Sequence, residues 1–138
     1  MKAFDRVNHY YLISCMLKRG FPLQIVKVFL SWFCNMHASV KWKNVTSNCF
    51  KIKSGVPQGS LLGGKLYNLI VDEILQILEK NHLGCYVGDK FAGAIAYADD
   101  LILLSASVIK LQEMLRLCNE CGLECDLKFN VQIGRAHV

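Results

Sequence analysis

Gly93-Ala94-Ile95-Ala96-Tyr97-Ala98-Asp99-Asp100-Leu101-Ile102-Leu103-Leu104 is the stretch on which the reading of this chain turns. Apolar residues flank Tyr97-Ala98-Asp99-Asp100 on both sides, which predicts two strands joined by a tight turn that carries two adjacent carboxylates. Unpaired carboxylates close to a core repel one another and resist ionisation unless a hard divalent cation neutralises them. Oxygen-only ligands suit magnesium, which takes one or two protein carboxylates and fills its shell with water and substrate phosphates. Taken alone, the tetrapeptide favours the plainer reading of an Asp-Asp turn capping a hairpin, because Asp is common in turns.

Upstream, Ser54-Gly55-Val56-Pro57-Gln58-Gly59-Ser60 forms a loop leading into a predicted helix over 61–80, with Leu66, Leu69, Ile70, Ile74, Ile77 and Leu78 at helical spacing. Glycine lets a backbone approach a ligand closely, Gln58 both donates and accepts hydrogen bonds, and a helix N-terminus favours phosphate. Such loops precede many helices, so this one signals little alone. Its combination with a downstream Tyr-x-Asp-Asp hairpin is specific.

Working outward, residues 7–19 carry Leu12, Ile13, Met16 and Leu17 at helical spacing, with Gly20 as C-cap. Pro22 opens a second helix that buries Ile25, Phe29, Trp32 and Phe33. Residues 38–52 alternate as a β-hairpin with a basic face of Lys41, Lys43, Lys51 and Lys53, read first as a solvated face and alternatively as a phosphate contact. Strands near 84–88 and 90–97 flank a Gly88-Asp89 turn. A last helix over 107–121 places Leu111, Leu115 and Cys118 on one side and ends at Gly122, before a β-like run over 127–131. Helix pairs alternating with hairpins, without regular βαβ crossovers, predict an α+β fold with a mainly antiparallel sheet packed against helices.

The chain has 138 residues, 53% apolar and 20% charged, which is one domain and excludes a disordered tail. No apolar run is long enough for a transmembrane span, and the N-terminus lacks the pattern of a secretory signal. A net charge of +5 permits a polyanionic partner. Seven cysteines, an odd number set among apolar residues as at Cys15, Cys34 and Cys85, read as reduced thiols of an intracellular protein. Cys118, Cys121 and Cys125 are close enough in sequence to begin a zinc site, but a fourth ligand at matching spacing is absent and packing is the stronger reading.

At three blocks the sequence resembles reverse transcriptases, most closely those of non-LTR (LINE-type) retrotransposons. Lys2-Ala3-Phe4-Asp5-Arg6-Val7-Asn8-His9 is similar to the tail of the family's first motif, Gly55-Val56-Pro57-Gln58-Gly59-Ser60-Leu61 to the second, and Ala96-Tyr97-Ala98-Asp99-Asp100-Leu101-Ile102-Leu103-Leu104 to the third. Gly122-Leu123 with Lys128-Phe129-Asn130 resembles the start of the fourth. The resemblance implies the palm of a right-hand polymerase, incomplete at both ends, that adds deoxynucleotides to a primer 3′-hydroxyl. It implies that Asp99 and Asp100 are catalytic carboxylates holding Mg²⁺, with Mn²⁺ as a substitute. Phe4 becomes the gate beneath the incoming sugar, Gln58 a contact to the incoming nucleotide, and Gly55 and Gly59 the places where the backbone lies close to it. The implied partners are an RNA template, a DNA primer and deoxynucleoside triphosphates, in the nucleus and cytoplasm. Outside the family context, Phe4 reads as a core aromatic and Gln58 as a loop surface residue.

The departures carry expectations of their own. The family's first metal-binding Asp precedes the aromatic gate at a spacing that, counted back from Phe4, runs off the chain. Asp5 therefore matches a second, structural Asp, expected to cap the helix beginning near Val7. Lacking that ligand, the chain alone is expected to be inactive, and a non-catalytic retrotransposon remnant that binds nucleic acid or nothing is the alternative. Gly63-Gly64-Lys65 replaces a Ser-Pro pair and loosens the helix start by roughly 1 kcal/mol per glycine. The fourth motif's Lys is absent after Val131-Gln132. The last six residues, 133–138, are what one frame of a widely used short-read sequencing adapter encodes (ATC GGA AGA GCA CAC GTC), so the domain is read as 1–132.

Overall fold

The computed structural model describes residues 3–57, 59–127 and 129. A 3₁₀ turn (Ala3–Arg6) leads into helices α1 (His9–Lys18) and α2 (Leu23–Cys34). Four short strands follow, β1 (His37–Ala38), β2 (Lys41–Trp42), β3 (Val45–Thr46) and β4 (Phe50–Lys51), and then helix α3 (Gly63–Lys80). Strands β5 (Tyr86–Val87), β6 (Lys90–Phe91), β7 (Ala94–Tyr97) and β8 (Asp100–Leu103) precede the last helix, α4 (Val108–Glu124). Every strand pairing among the described residues is antiparallel, in line with the α+β reading.

The first helix starts where a side chain can satisfy its free amides. Asn8 Oδ1 accepts from the Tyr10 and Tyr11 amides at 2.9 and 3.2 Å, so Asn8 is the N-cap and Asp5 is not. Asp5 lies in the preceding 3₁₀ turn. At the other end, the Gly20 amide donates to Leu17 O and the Phe21 amide to Met16 O, a Schellman closure that needs the φ of +72° at Gly20. Along α2 the buried face is set by Val26 and Phe33, while Ile25 is 44% exposed, one residue out of phase with the sequence reading.

Helix α3 is the spine of the fold. Its first half contributes Leu66, Tyr67, Ile70 and Val71 to a core with Val7, Leu12, Phe33, Val56, Cys125 and Leu127. Its second half contributes Ile74 and Leu78 to a second core with Leu83, Met114, Cys118 and Cys121. The Arg19 guanidinium, at the end of α1, reaches α3 through Asp72 (2.7 Å), Glu73 (3.3 Å) and the Leu69 carbonyl (3.3 Å).

The strands form four two-stranded ladders. The predicted strand over 90–97 is divided at Ala92-Gly93, where the chain crosses itself: a Cβ on Gly84 would lie 2.6 Å from Gly93 Cα. Leu104 knits the pieces together, its amide donating to Gly93 O and its carbonyl accepting from the Cys85 amide. In α4, capped by Ser107, Gly122 does not end the helix as the sequence suggested. It is buried inside it, because a Cβ there would sit 2.9 Å from Leu127 O. Cys118, Cys121 and Cys125 are buried as packing residues, and burial pushes the Cys118 and Cys125 thiols up to about 11. No group of three or more His, Cys, Asp or Glu among the described residues is placed to share a metal ion. Cys34, read as sitting among apolar residues, is exposed.

Candidate active site

The β7–β8 hairpin runs in register from Ala94↔Leu103 to Tyr97↔Asp100. That leaves Ala98-Asp99 as a two-residue turn. Ala98 has φ +52° and Asp99 does not enter the positive region, the φ signature of a type II′ turn, whose twist matches the flanking strands. Asp99 therefore stands on the turn and Asp100 opens β8, both exposed. Neither makes an ion pair with the described residues, whose ion pairs all involve Lys18, Arg19 or Arg116. Two adjacent free carboxylates are a donor set that fits a hard divalent cation, with water and phosphate oxygens as its remaining ligands.

Behind the turn lies Tyr67 of α3. It lines a narrow cleft together with Ala98, Asp99 and Asp100 and is almost fully buried. Burial first, and then the charge of Asp99, pushes its phenol up to about 12. The ring also stacks on Phe4, with centroids 4.6 Å apart. One buried tyrosine thus neighbours both the acidic turn and the aromatic residue expected beneath the sugar. Tyr67 was not legible as a site residue: it occupies the apolar stripe of α3 beside Leu66 and Ile70, and an aromatic there reads as core.

The loop before α3 is bonded to the first turn of the chain. The Gly55 amide donates to Val7 O and the Val56 amide to Phe4 O, each at 2.8 Å. His9, buried and stacked on Phe33, places Nε2 2.7 Å from Gly55 O. Gly55 has φ +93°, and a Cβ on it would meet the Asp5 backbone at 2.9–3.0 Å. The space its missing side chain leaves is filled by the protein itself, and the two amide bonds join the loop to the Phe4 segment. At Gly59, with φ +78°, an added Cβ would meet none of the described residues within 4 Å. Gln58 lies outside the described residues. The start of α3 explains one of its two glycines. Ser60 Oγ accepts from the Gly63 amide at 2.8 Å and donates to Pro57 O at 2.9 Å, and a Cβ on Gly63 would stand 2.5 Å from Pro57 O. Nothing in the structure explains Gly64.

A carboxylate-bearing hairpin laid on a long helix within an α+β framework is the architecture of a polymerase palm. A family model for reverse transcriptase (RNA-dependent DNA polymerase) matches residues 1–132, and the chain belongs to that family, on its non-LTR retrotransposon side. It is 32% identical over 113 residues to the transposon TX1 uncharacterized 149 kDa protein of Xenopus laevis, covering 80% of this chain and 9% of that protein. It is 31% identical over 114 residues to the retrovirus-related Pol polyprotein from type-2 retrotransposable element R2DM of Drosophila melanogaster, covering 83% and 11%. A third relative, the probable RNA-directed DNA polymerase from transposon BS of Drosophila melanogaster, is 35% identical over 121 residues, covering 88% and 12%. The chain spans about a tenth of the length of these relatives. Family polymerases generally use divalent metal ions and act on nucleic acid and nucleotides. No helix among the described residues is long and apolar enough to cross a membrane.

Proposed function

We propose that this chain carries the catalytic turn of an RNA-directed DNA polymerase that extends a DNA primer along an RNA template, inside the cell, in the cytoplasm and nucleus where retrotransposition takes place. The observation that carries the proposal is that Tyr67 lines one cleft with Asp99 and Asp100 and stacks on Phe4. Asp99 and Asp100 would hold Mg²⁺, with Mn²⁺ as a substitute. Such ions, when bound, supply charge stabilisation at the attacking and leaving oxygens of phosphoryl transfer.

The chain's own residues do the rest of the positioning. Phe4, fixed by its stack on Tyr67, lies beneath the incoming sugar and excludes a 2′-hydroxyl. Gly59 leaves the backbone of the loop open to the nucleotide, and Gln58 contacts it. Gly55 acts one step back, by holding the loop to the Phe4 turn. The family match ends at residue 132, which supports reading 133–138 as foreign to the domain.

Primer extension on an RNA template with Mg²⁺ or Mn²⁺ tests the assignment, using this chain and the parent open reading frame that contains it. The parent extends the primer, Asp99→Asn or Asp100→Asn in the parent abolishes extension, and the chain alone gives none. Wild-type extension by either parent variant removes the two carboxylates from the site.

A further inference from the structure

Charge is distributed unevenly along this chain. Between Asp5 and Asp72 there is no Asp or Glu in 66 residues, yet nine of the sixteen Lys and Arg fall there. The ribbon formed by β1 to β4 lies in the middle of that segment and carries Lys41, Lys43, Lys51 and, just past its end, Lys53. None of these lysines is in an ion pair with the described residues.

The ribbon pairs His37↔Lys51 and Ala38↔Phe50 at its base, and Lys41↔Thr46 and Trp42↔Val45 near its tip. Between them the Ser47 amide donates to Val40 O, so residue 39 faces both 48 and 49, a bulge that bends the ribbon. At the tip, Trp42 is 75% exposed and its cross-strand partner Val45 72%. Trp42 and Val45 share one face of the ribbon, and Lys41 and Lys43 flank Trp42 in sequence. Lys43 holds φ +52° at the turn, a conformation that Gly or Asn adopts with far less strain, and so an ammonium is kept at the tip against local preference. Where β4 meets α1 and α2, a cleft of about 290 Å³ has a floor of Leu30, Phe33 and Ile52 and a rim of Tyr10, Lys51 and Lys53.

We infer that this ribbon is a docking surface for unpaired RNA, the incoming template. Trp42 stacks on a base, the four lysines take backbone phosphates, and the cleft beside Lys51 and Lys53 receives a second base. Stacking requires bases whose faces are free, which a primer paired to its template does not offer. Charge complementarity excludes a basic partner and favours a polyanion. The ribbon also springs from the right place: Ser54 to Val56, directly after Lys53, are bonded to the turn that carries Phe4. The inference rests on the polymerase reading only for the identity of the strand.

The test is fluorescence anisotropy of a labelled (A)12 RNA with the full chain in EDTA, so that failure of the metal site leaves the result untouched. Trp42→Ala weakens binding roughly tenfold, while Trp42→Phe retains most of it. Lys41→Gln with Lys43→Gln flattens the plot of log affinity against log salt by about 1.4. Lys80→Gln with Lys90→Gln, on the other side of the acid-free segment, leaves both unchanged. Lys43→Gly separates binding from folding, since it raises the thermal midpoint and lowers RNA affinity. The inference is overturned if Trp42→Ala binds as wild type, if the (A)12·(dT)12 duplex binds as tightly as the single strand, if (dA)12 binds more tightly than (A)12, or if poly-aspartate displaces the RNA at equal charge.

Discussion

Phe4 lies against Tyr67 with its ring plane inclined by 23° and the centroids 4.6 Å apart. Phe4 is half-buried and comes from a short 3₁₀ turn with little rigidity of its own. Tyr67 sits in the second turn of α3, the longest helix among the described residues. The position of the residue proposed to sense the sugar is therefore inherited from α3, and the same helix backs the acidic turn.

Tyr67→Ala should cost about 3–5 kcal/mol, the usual range for emptying a buried aromatic site. Tyr67→Phe keeps the stack and should cost far less. Urea unfolding of both variants checks this, with the slope against denaturant unchanged. A Tyr67→Ala midpoint equal to that of Tyr67→Phe would mean the ring does not support Phe4.

Gly55 and Gly59 should respond differently to alanine. At both the φ is positive, which costs an L-residue about 1–2 kcal/mol. Only at Gly55 does the new methyl also strike backbone, that of Asp5. Gly55→Ala should be the more destabilising of the two by at least 1 kcal/mol, as read from thermal or urea midpoints. Equal losses would show that the loop moves away from Asp5 without cost.

Ala98 occupies a turn position with φ +52°, where glycine is more comfortable. Ala98→Gly should be neutral to stabilising, by up to about 1 kcal/mol, and Ala98→Val destabilising by more than that. Thermal melts of the two variants decide it, and a clear loss of stability in Ala98→Gly would argue against the turn geometry described.

Alkaline pH should loosen the fold in a defined window. Burial raises the Cys118 and Cys125 thiols from 9.0 to about 11 and Tyr67 from 10.0 to about 12. In each case the folded form keeps its proton to higher pH than the unfolded chain does. The associated stability is whole below pH 9 for the thiols, below pH 10 for Tyr67, and is lost as pH rises to 11 and 12. The loss should be on the order of 2 kcal/mol for each buried thiol, seen as a falling urea midpoint above pH 9. At pH 8 a thiol reagent should modify the exposed Cys34 and Cys49 quickly and the buried cysteines only on unfolding.

Where a residue's role depends on periodicity or turn chemistry, it could be read from the sequence. The Asp99-Asp100 hairpin, the Gly88-Asp89 turn and the stripe of α3 are of that kind. Roles that depend on what arrives from elsewhere in the chain could not. Gly122 looked like a helix stop, but it is a helical residue cleared for the Leu127 carbonyl. Gly63 looked like a weakness and is a clearance for Pro57 O. Asn8 rather than Asp5 caps α1 because the 3₁₀ turn before it uses up the residues between. Tyr67 and His9 matter through their partners, Phe4 and Gly55, which sequence spacing does not reveal.

The two cores share α3, and the first of them is closed by residues from both ends of the described chain, from Val7 to Cys125 and Leu127. A cut at any of the hairpin tips would thus leave two pieces, each holding half of a wall that only the other completes. Fragments divided at Lys43-Asn44 or Gly88-Asp89 should be unfolded apart and regain structure on mixing. Either tip is accordingly a natural place to install a split reporter of assembly.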